Sequence, residues 1–192
     1  MKKIGLTGGI GSGKTYISYI FSALDIPIFY SDDVAKDLVN NSEDLREAIN
    51  NLYAENLFPG GILDRKRLSH IIFSNNQNLI RLNKLIHPMV DDNFKNWLAK
   101  QNSKYIIKEA AILFESNSYL DLDKIICVSS SVDLRIKRVI DRSKMNESEV
   151  RNIMKNQISD IERERKSDYI IINNQQDLLL PQIIKLHNLF IS

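Results

Sequence analysis

The chain has one cysteine, one tryptophan and four prolines in 192 residues, and no glycine beyond Gly61. The single thiol, Cys127 in "KIICVSSS", cannot close an internal disulfide, and no Cys/His cluster has metal-ligand spacing. Disulfide-stapled and zinc-held folds are therefore excluded. No window approaches the roughly 18 apolar residues of a membrane span. The opening "MKKIGLTGGIG" puts two lysines before apolar residues, but the apolar run stops at Leu6 and Lys14 breaks the next stretch, unlike a secretory leader. Charge of one sign is also lacking: 26 basic against 24 acidic residues leave a net charge of +2, too little to mark a nucleic-acid or membrane-surface protein. A cytoplasmic monomer with neither nucleic acid nor membrane as partner is expected. The length and a 43% apolar fraction suit one globular domain with a buried core.

The glycines that exist are crowded. Five of the seven fall within the first thirteen residues. "KKIGLT" before them reads as a buried strand, and a helix is expected over 14–23 after them. A second strand is expected over 26–30. Helical spacing then dominates to about residue 100: Val34 with Leu38, Leu45 with Ile49, Leu68 with Ile72, Leu82 with Ile86. Only "FPGG" at 58–61 and "HP" at 87–88 punctuate it. "KYIIKEA", "KIICVSS" and "DYIIIN" alternate too little for an exposed sheet and read as parallel strands covered on both faces. Helices are expected over 132–142, 147–166 and 175–190. The fold class is α/β, a doubly wound parallel sheet with a helical insertion. The expected layout is one domain with a core of 1–32 and 104–192, and the insertion over 33–103.

Gly8-x-x-x-x-Gly13-Lys14-Thr15 satisfies the phosphate-loop pattern in its required strand-to-helix context. Glycines let the backbone turn its N–H groups toward phosphate oxygens without Cβ interference. The stretch Gly8, Gly9, Ile10, Gly11, Ser12, Gly13, Lys14, Thr15 and Tyr16 is thus the candidate ATP site. Lys14 is expected on the β- and γ-phosphates, and the Thr15 hydroxyl on Mg²⁺. The Asp-x-x-Gly element of GTP switches is absent, since Leu57 and Phe58 stand three residues before Gly60 and Gly61. A small-molecule kinase fits better; a nucleotide-binding regulatory module is the reading of a different class. Asp32 and Asp33 follow the second strand, where a carboxylate can take an acceptor's proton or merely cap the next helix. "RIKRVIDRSK" (135–144) holds five bases against Asp141, with Arg138 and Arg142 on one helix face, as expected of a lid over 142–160 or of a solvated face. Glu109 and Glu115 are rival candidates to hold a metal-bound water.

In this order, these residues resemble dephospho-CoA kinases over nearly the whole chain. "IGLTGGIGSGKT" is similar to that family's opening and "PIFYSDDVAKDL" to a stretch in which Asp-Ala-Asp precedes a helix. "GGILDRKRL", "RLNKLIHPMV", "EAAILFES", "DLRIKRVIDR", "KNQIS" and "SDYIIINN" resemble further family segments. Tyr30 stands where the family has its first aspartate, Ala111 replaces a proline, and Asn174 a glycine. The resemblance implies a P-loop NTPase fold with a five-stranded core, a helical acceptor-binding region and a small lid. It implies transfer of the γ-phosphoryl of ATP to the ribose 3′-hydroxyl of dephospho-CoA. Asp32 is implied as the base, Thr7 as lining the site, and Arg142 as a lid residue on phosphates. Arg65 and His87 are implied in the acceptor region.

Overall fold

The computed structural model describes residues 1–143 and 145–192, with the side chains of 73, 74 and 76 left out. Lys144 of the basic segment lies outside the described residues. Internal contacts divide the chain into two compact units, Met1–Tyr30 with Gln101–Ser192, and Ser31–Lys100.

The first unit is built on strands whose side chains are apolar on both faces. β1 (Lys2–Thr7), β2 (Ile28–Tyr30), β3 (Tyr105–Glu109), β4 (Lys124–Ser129) and β5 (Tyr169–Ile172) form one sheet in the order β2-β3-β1-β4-β5. Every pairing is parallel. The register sets Leu6 opposite Glu109, Tyr30 opposite Glu109, and Thr7 opposite Cys127. The carboxyl ends therefore share one edge, the ligand-binding edge of an open α/β sheet. On one face Ile4, Leu6, Tyr105, Ile107, Ile126, Val128 and Ile171 pack with Ile17 and Phe21 of α1 (Lys14–Ser22) and Ile183, Leu186 and Phe190 of α9 (Leu179–Ile191). On the other, a Cβ on Gly5 would meet Leu113 and Leu122, so the chain after β3 covers that face closely. Burying one such Ile or Phe contributes about 1.5–3 kcal/mol.

The remaining helices of this unit are α6 (Val132–Arg142), α7 (Glu147–Lys155) and α8 (Asp160–Lys166). The single helix expected over 147–166 is broken at 156–159. Asn156 closes α7, and the Ser159 side chain caps α8 by accepting from the Glu162 amide. The last helix starts at Leu179 rather than 175, because Gln175 takes φ 67°, a left-handed value that cannot open a helix.

The second unit contains α2 (Ser31–Asn41), α3 (Glu43–Tyr53), a 3₁₀ turn at Pro59–Gly61, α4 (Arg65–Ser74) and α5 (Asn76–Leu98). Ser42, Asp64 and Asn75 cap the last three helices through their side chains. Leu45, Ile49, Leu68, Leu82 and Ile86, expected to be apolar-facing from their spacing, are buried. The "HP" break does not occur: α5 runs through Pro88. A proline removes one N–H from the ladder and strains the turn before it, but 23 residues of helix outlast one missing bond. Among the described residues, no helix is long and apolar enough to cross a membrane.

Candidate active site

β1 delivers Thr7 to the carboxyl edge, and the chain circles through 8–13 before α1 begins at Lys14. Gly13 caps α1 at φ 95° and makes no side-chain cap bond to it. Two glycines are demanded by their surroundings. A Cβ at Gly11, already at φ 78°, would collide with the Arg135 carbonyl; one at Gly13 would collide with the Asn173 amide nitrogen. Lys14 is 9% exposed, and its Nζ donates to the Gly8 carbonyl at 2.9 Å, bridging the loop. The Ser12 amide donates to the Gly9 carbonyl at 3.1 Å. Thr7 Oγ1 and Ser12 Oγ are buried without a hydrogen-bond partner. An unsatisfied buried hydroxyl costs about 1–3 kcal/mol, so these two invite a polar ligand. With Lys14 and the open helix end, they fit a magnesium polyphosphate. Thr15 and Tyr16 are exposed at the start of α1.

The basic segment divides into three fates. Arg135 is buried, and its Nη2 donates to Asp160 Oδ2 at 2.5 Å; Arg163, also buried, donates to Oδ1 of the same carboxylate at 2.7 Å. Burial pulls the Arg135 guanidinium below its usual value, and Asp160 opposes this. Arg138 turns inward, donating to the Asn173 carbonyl and Oδ1 at 3.1 Å each, to Ser130 Oγ at 3.2 Å and to the Ser12 carbonyl at 3.4 Å. Arg142, at the end of α6, is exposed and unpaired among the described residues.

The acids separate too. Glu109 is buried at the carboxyl end of β3, in register with Leu6. Glu115 Oε1 accepts from the Ile158 amide at 2.9 Å, which holds the turn before α8. At the family-aspartate position, the Tyr30 hydroxyl lies 3.3 Å from Ser18 Oγ, whose proton goes to the Thr15 carbonyl at 2.8 Å. Cys127 is buried, and desolvation pushes its thiol up to about 11.

Within the helical unit, α2 starts at Ser31, so neither Asp32 nor Asp33 is its cap; both lie in its first turn. Asp32 is half-buried, whereas Asp33 is exposed and paired with Lys36 at 2.7 Å. Arg65 opens α4 and lines a cavity of about 180 Å³ with Val39, Ile49, Leu68, Leu82 and Ile86. His87 is half-buried on α5, next to Ile86.

Sequence reasoning missed Asn173, Ser130, Asp160 and Arg163. Gln157 was visible only within "KNQIS", yet its Oε1 accepts the Ile10 amide at 3.0 Å. Ser159-x-x-Glu162 was the available signal for the break beside it. Asn173 had none.

A family model described as dephospho-CoA kinase matches residues 2–178. A dephospho-CoA kinase of Fusobacterium nucleatum is 37% identical over 171 residues, covering 89% of each chain. The crystal structure of a Thermus thermophilus protein superposes with a TM-score of 0.89 at 25% identity, covering 100% of this chain and 98% of that one. The dephospho-CoA kinase of Campylobacter jejuni gives 0.68 at 25% identity, covering 98% and 96%.

Proposed function

This chain belongs to the dephospho-CoA kinase family, and on that premise we propose that residues 8–16 hold ATP while Asp32 takes the proton of the acceptor hydroxyl. The chain is an ATP-dependent kinase that phosphorylates dephospho-CoA, the last step of coenzyme A biosynthesis. The observation that carries the site reading is the loop itself: a buried Lys14 bridging it, and two buried hydroxyls, Thr7 and Ser12, without partners. Loop amides and the α1 amino end hold the α- and β-phosphates, and Lys14 balances charge on the β- and γ-phosphates. The Thr15 hydroxyl would hold Mg²⁺, which neutralises charge shared between those phosphates. Thr7 lines the site just before the loop. Of the two acids, Glu109 suits the sheet edge, since Glu115 is committed to the Ile158 amide.

The acceptor is the ribose 3′-hydroxyl. Its oxygen forms the new bond to the γ-phosphorus as the bond to the bridging oxygen breaks. ADP leaves with that electron pair, and Asp32 carries off the proton. Asp32 follows β2 by two residues, and its half-burial contrasts with the exposed, ion-paired Asp33. Arg65 and His87 receive dephospho-CoA; the exposed charge of Arg65 beside an apolar-walled cavity suits a phosphate-bearing ligand. Arg142, uncommitted at the end of α6, contacts phosphates from the lid. A cytoplasmic monomer completes the reading.

The test is a coupled assay of ADP release with dephospho-CoA, phosphopantetheine or AMP as acceptor. Turnover is expected with dephospho-CoA alone. Asp32→Asn should lower kcat about 10²–10⁴-fold with little change in ADP affinity, and Asp33→Asn should do far less. Equal damage from both would move the base assignment.

A further inference from the structure

We infer that Asn173, one residue beyond β5, is a positioning residue that aims the phosphate loop's Gly13 amide at the nucleotide. Its Nδ2 donates to the Ser12 carbonyl at 2.8 Å, a buried bond between residues 161 positions apart. The side chain is itself fixed from two sides. Its Oδ1 and its carbonyl both accept from Arg138, and its backbone amide donates to the Ser129 carbonyl at 2.8 Å. Arg138 in turn reaches the same Ser12 carbonyl and Ser130. A trans peptide is planar, and its C=O and N–H point in opposite directions. Fixing the Ser12 carbonyl on Asn173 therefore turns the Gly13 N–H to the side away from Asn173. That is the donor direction a bound phosphate needs. The absence of a Cβ at Gly13 is the other half of the arrangement, because Asn173 fills the space a Cβ would take. Without the amide, only the longer 3.4 Å contact from Arg138 holds the Ser12 carbonyl, so the Ser12–Gly13 peptide gains freedom and the cradle must be reordered when a nucleotide binds.

The inference rests on the reading of residues 8–16 as an ATP cradle, so the experiment separates the two. Mg·ADP affinity by calorimetry, KM for ATP and for dephospho-CoA, and the melting temperature without ligand are measured for wild type, Asn173→Ala and Asn173→Asp. Aspartate keeps the shape and the acceptor for Arg138 but cannot donate to Ser12; alanine loses the donor without adding charge. Both variants should bind Mg·ADP about tenfold more weakly or worse, with KM for ATP rising in step and KM for dephospho-CoA within twofold. If alanine does not fold, Asn173→Ser, too short to reach Ser12, replaces it. Unchanged ADP affinity in the charge-free variant overturns the inference, whether its melting temperature falls or not. Wild-type protein that binds no ADP overturns the cradle reading and this inference with it.

Discussion

The side-chain oxygen of Gln157 accepts the Ile10 amide proton at 3.0 Å, joining residues 147 positions apart. Gln157 lies in the break between α7 and α8, so the apex of the phosphate loop is tied to the segment that leads out of the proposed lid. Gln157→Ala should weaken ATP binding several-fold by releasing that amide. Gln157→Glu should restore most of it, because a carboxylate still accepts from an N–H. KM for ATP across the pair is the readout. Equal loss in both variants would mean that the contact does not order the loop.

Asp160 carries two buried arginines, Arg135 and Arg163, on one carboxylate. Asp160→Ala should cost about 1–3 kcal/mol of stability: both guanidinium groups are buried, but the carboxylate itself is 43% exposed, so water replaces part of what it supplies. Denaturant unfolding measures this directly. A loss below about 1 kcal/mol would show that the cluster relaxes to water.

Arg142 and Arg138 share a helix face but have opposite environments. Arg142→Ala should leave unfolding free energy within about 0.5 kcal/mol of wild type. It should nevertheless lower kcat/KM by about 10²-fold or more, and Arg142→Lys should recover only part, because an ammonium lacks the planar fork. Arg138→Ala should lose stability as well as activity, having four acceptors to release. Wild-type kinetics in the Arg142 variant would reduce this end of α6 to a solvated face.

Cys127 supplies a pH dependence of known sign. Burial raises its folded-state value from 9.0 to about 11, so on raising the pH the unfolded chain loses the thiol proton first. The native state then holds more protons than the unfolded state, and stability falls from about pH 9 toward pH 11. The part due to Cys127 is about 2 kcal/mol. Unfolding of wild type and Cys127→Ala at about pH 8 and about pH 10.5 isolates it: the wild-type decline should be the steeper. Parallel declines would contradict the assignment.

What was legible in the sequence came from local chemistry. Strands such as Tyr105–Glu109 announce themselves because burial on both faces leaves no polar alternation, and the loop because glycines and Lys14 at fixed spacing have one use. Pro88 misled, since a local helix-breaker was overridden by 23 residues of favourable helix. The break at 156–159 carried one signal, the capping pair Ser159-x-x-Glu162, inside a stretch whose flanks have helical composition. Asn173 and Asp160 were invisible for another reason. Their importance lies in contacts made to Ser12 and Arg135 from far along the chain, which no window of sequence contains. Asp33 shows a different case: position after the strand left it level with Asp32, the family resemblance favoured Asp32, and in the structure Asp33 is exposed and paired with Lys36.

The most direct measurement is ADP release by wild type and Lys14→Ala in the presence of dephospho-CoA, with circular dichroism on both. Lys14 bridges the loop to the Gly8 carbonyl at 2.9 Å and is the charge assigned to the transferred phosphoryl group. Wild type should turn over only when dephospho-CoA is added, and a folded Lys14→Ala should be slower by about 10²-fold or more. A folded Lys14→Ala that keeps most of the wild-type rate would contradict the cradle and the chemistry built on it.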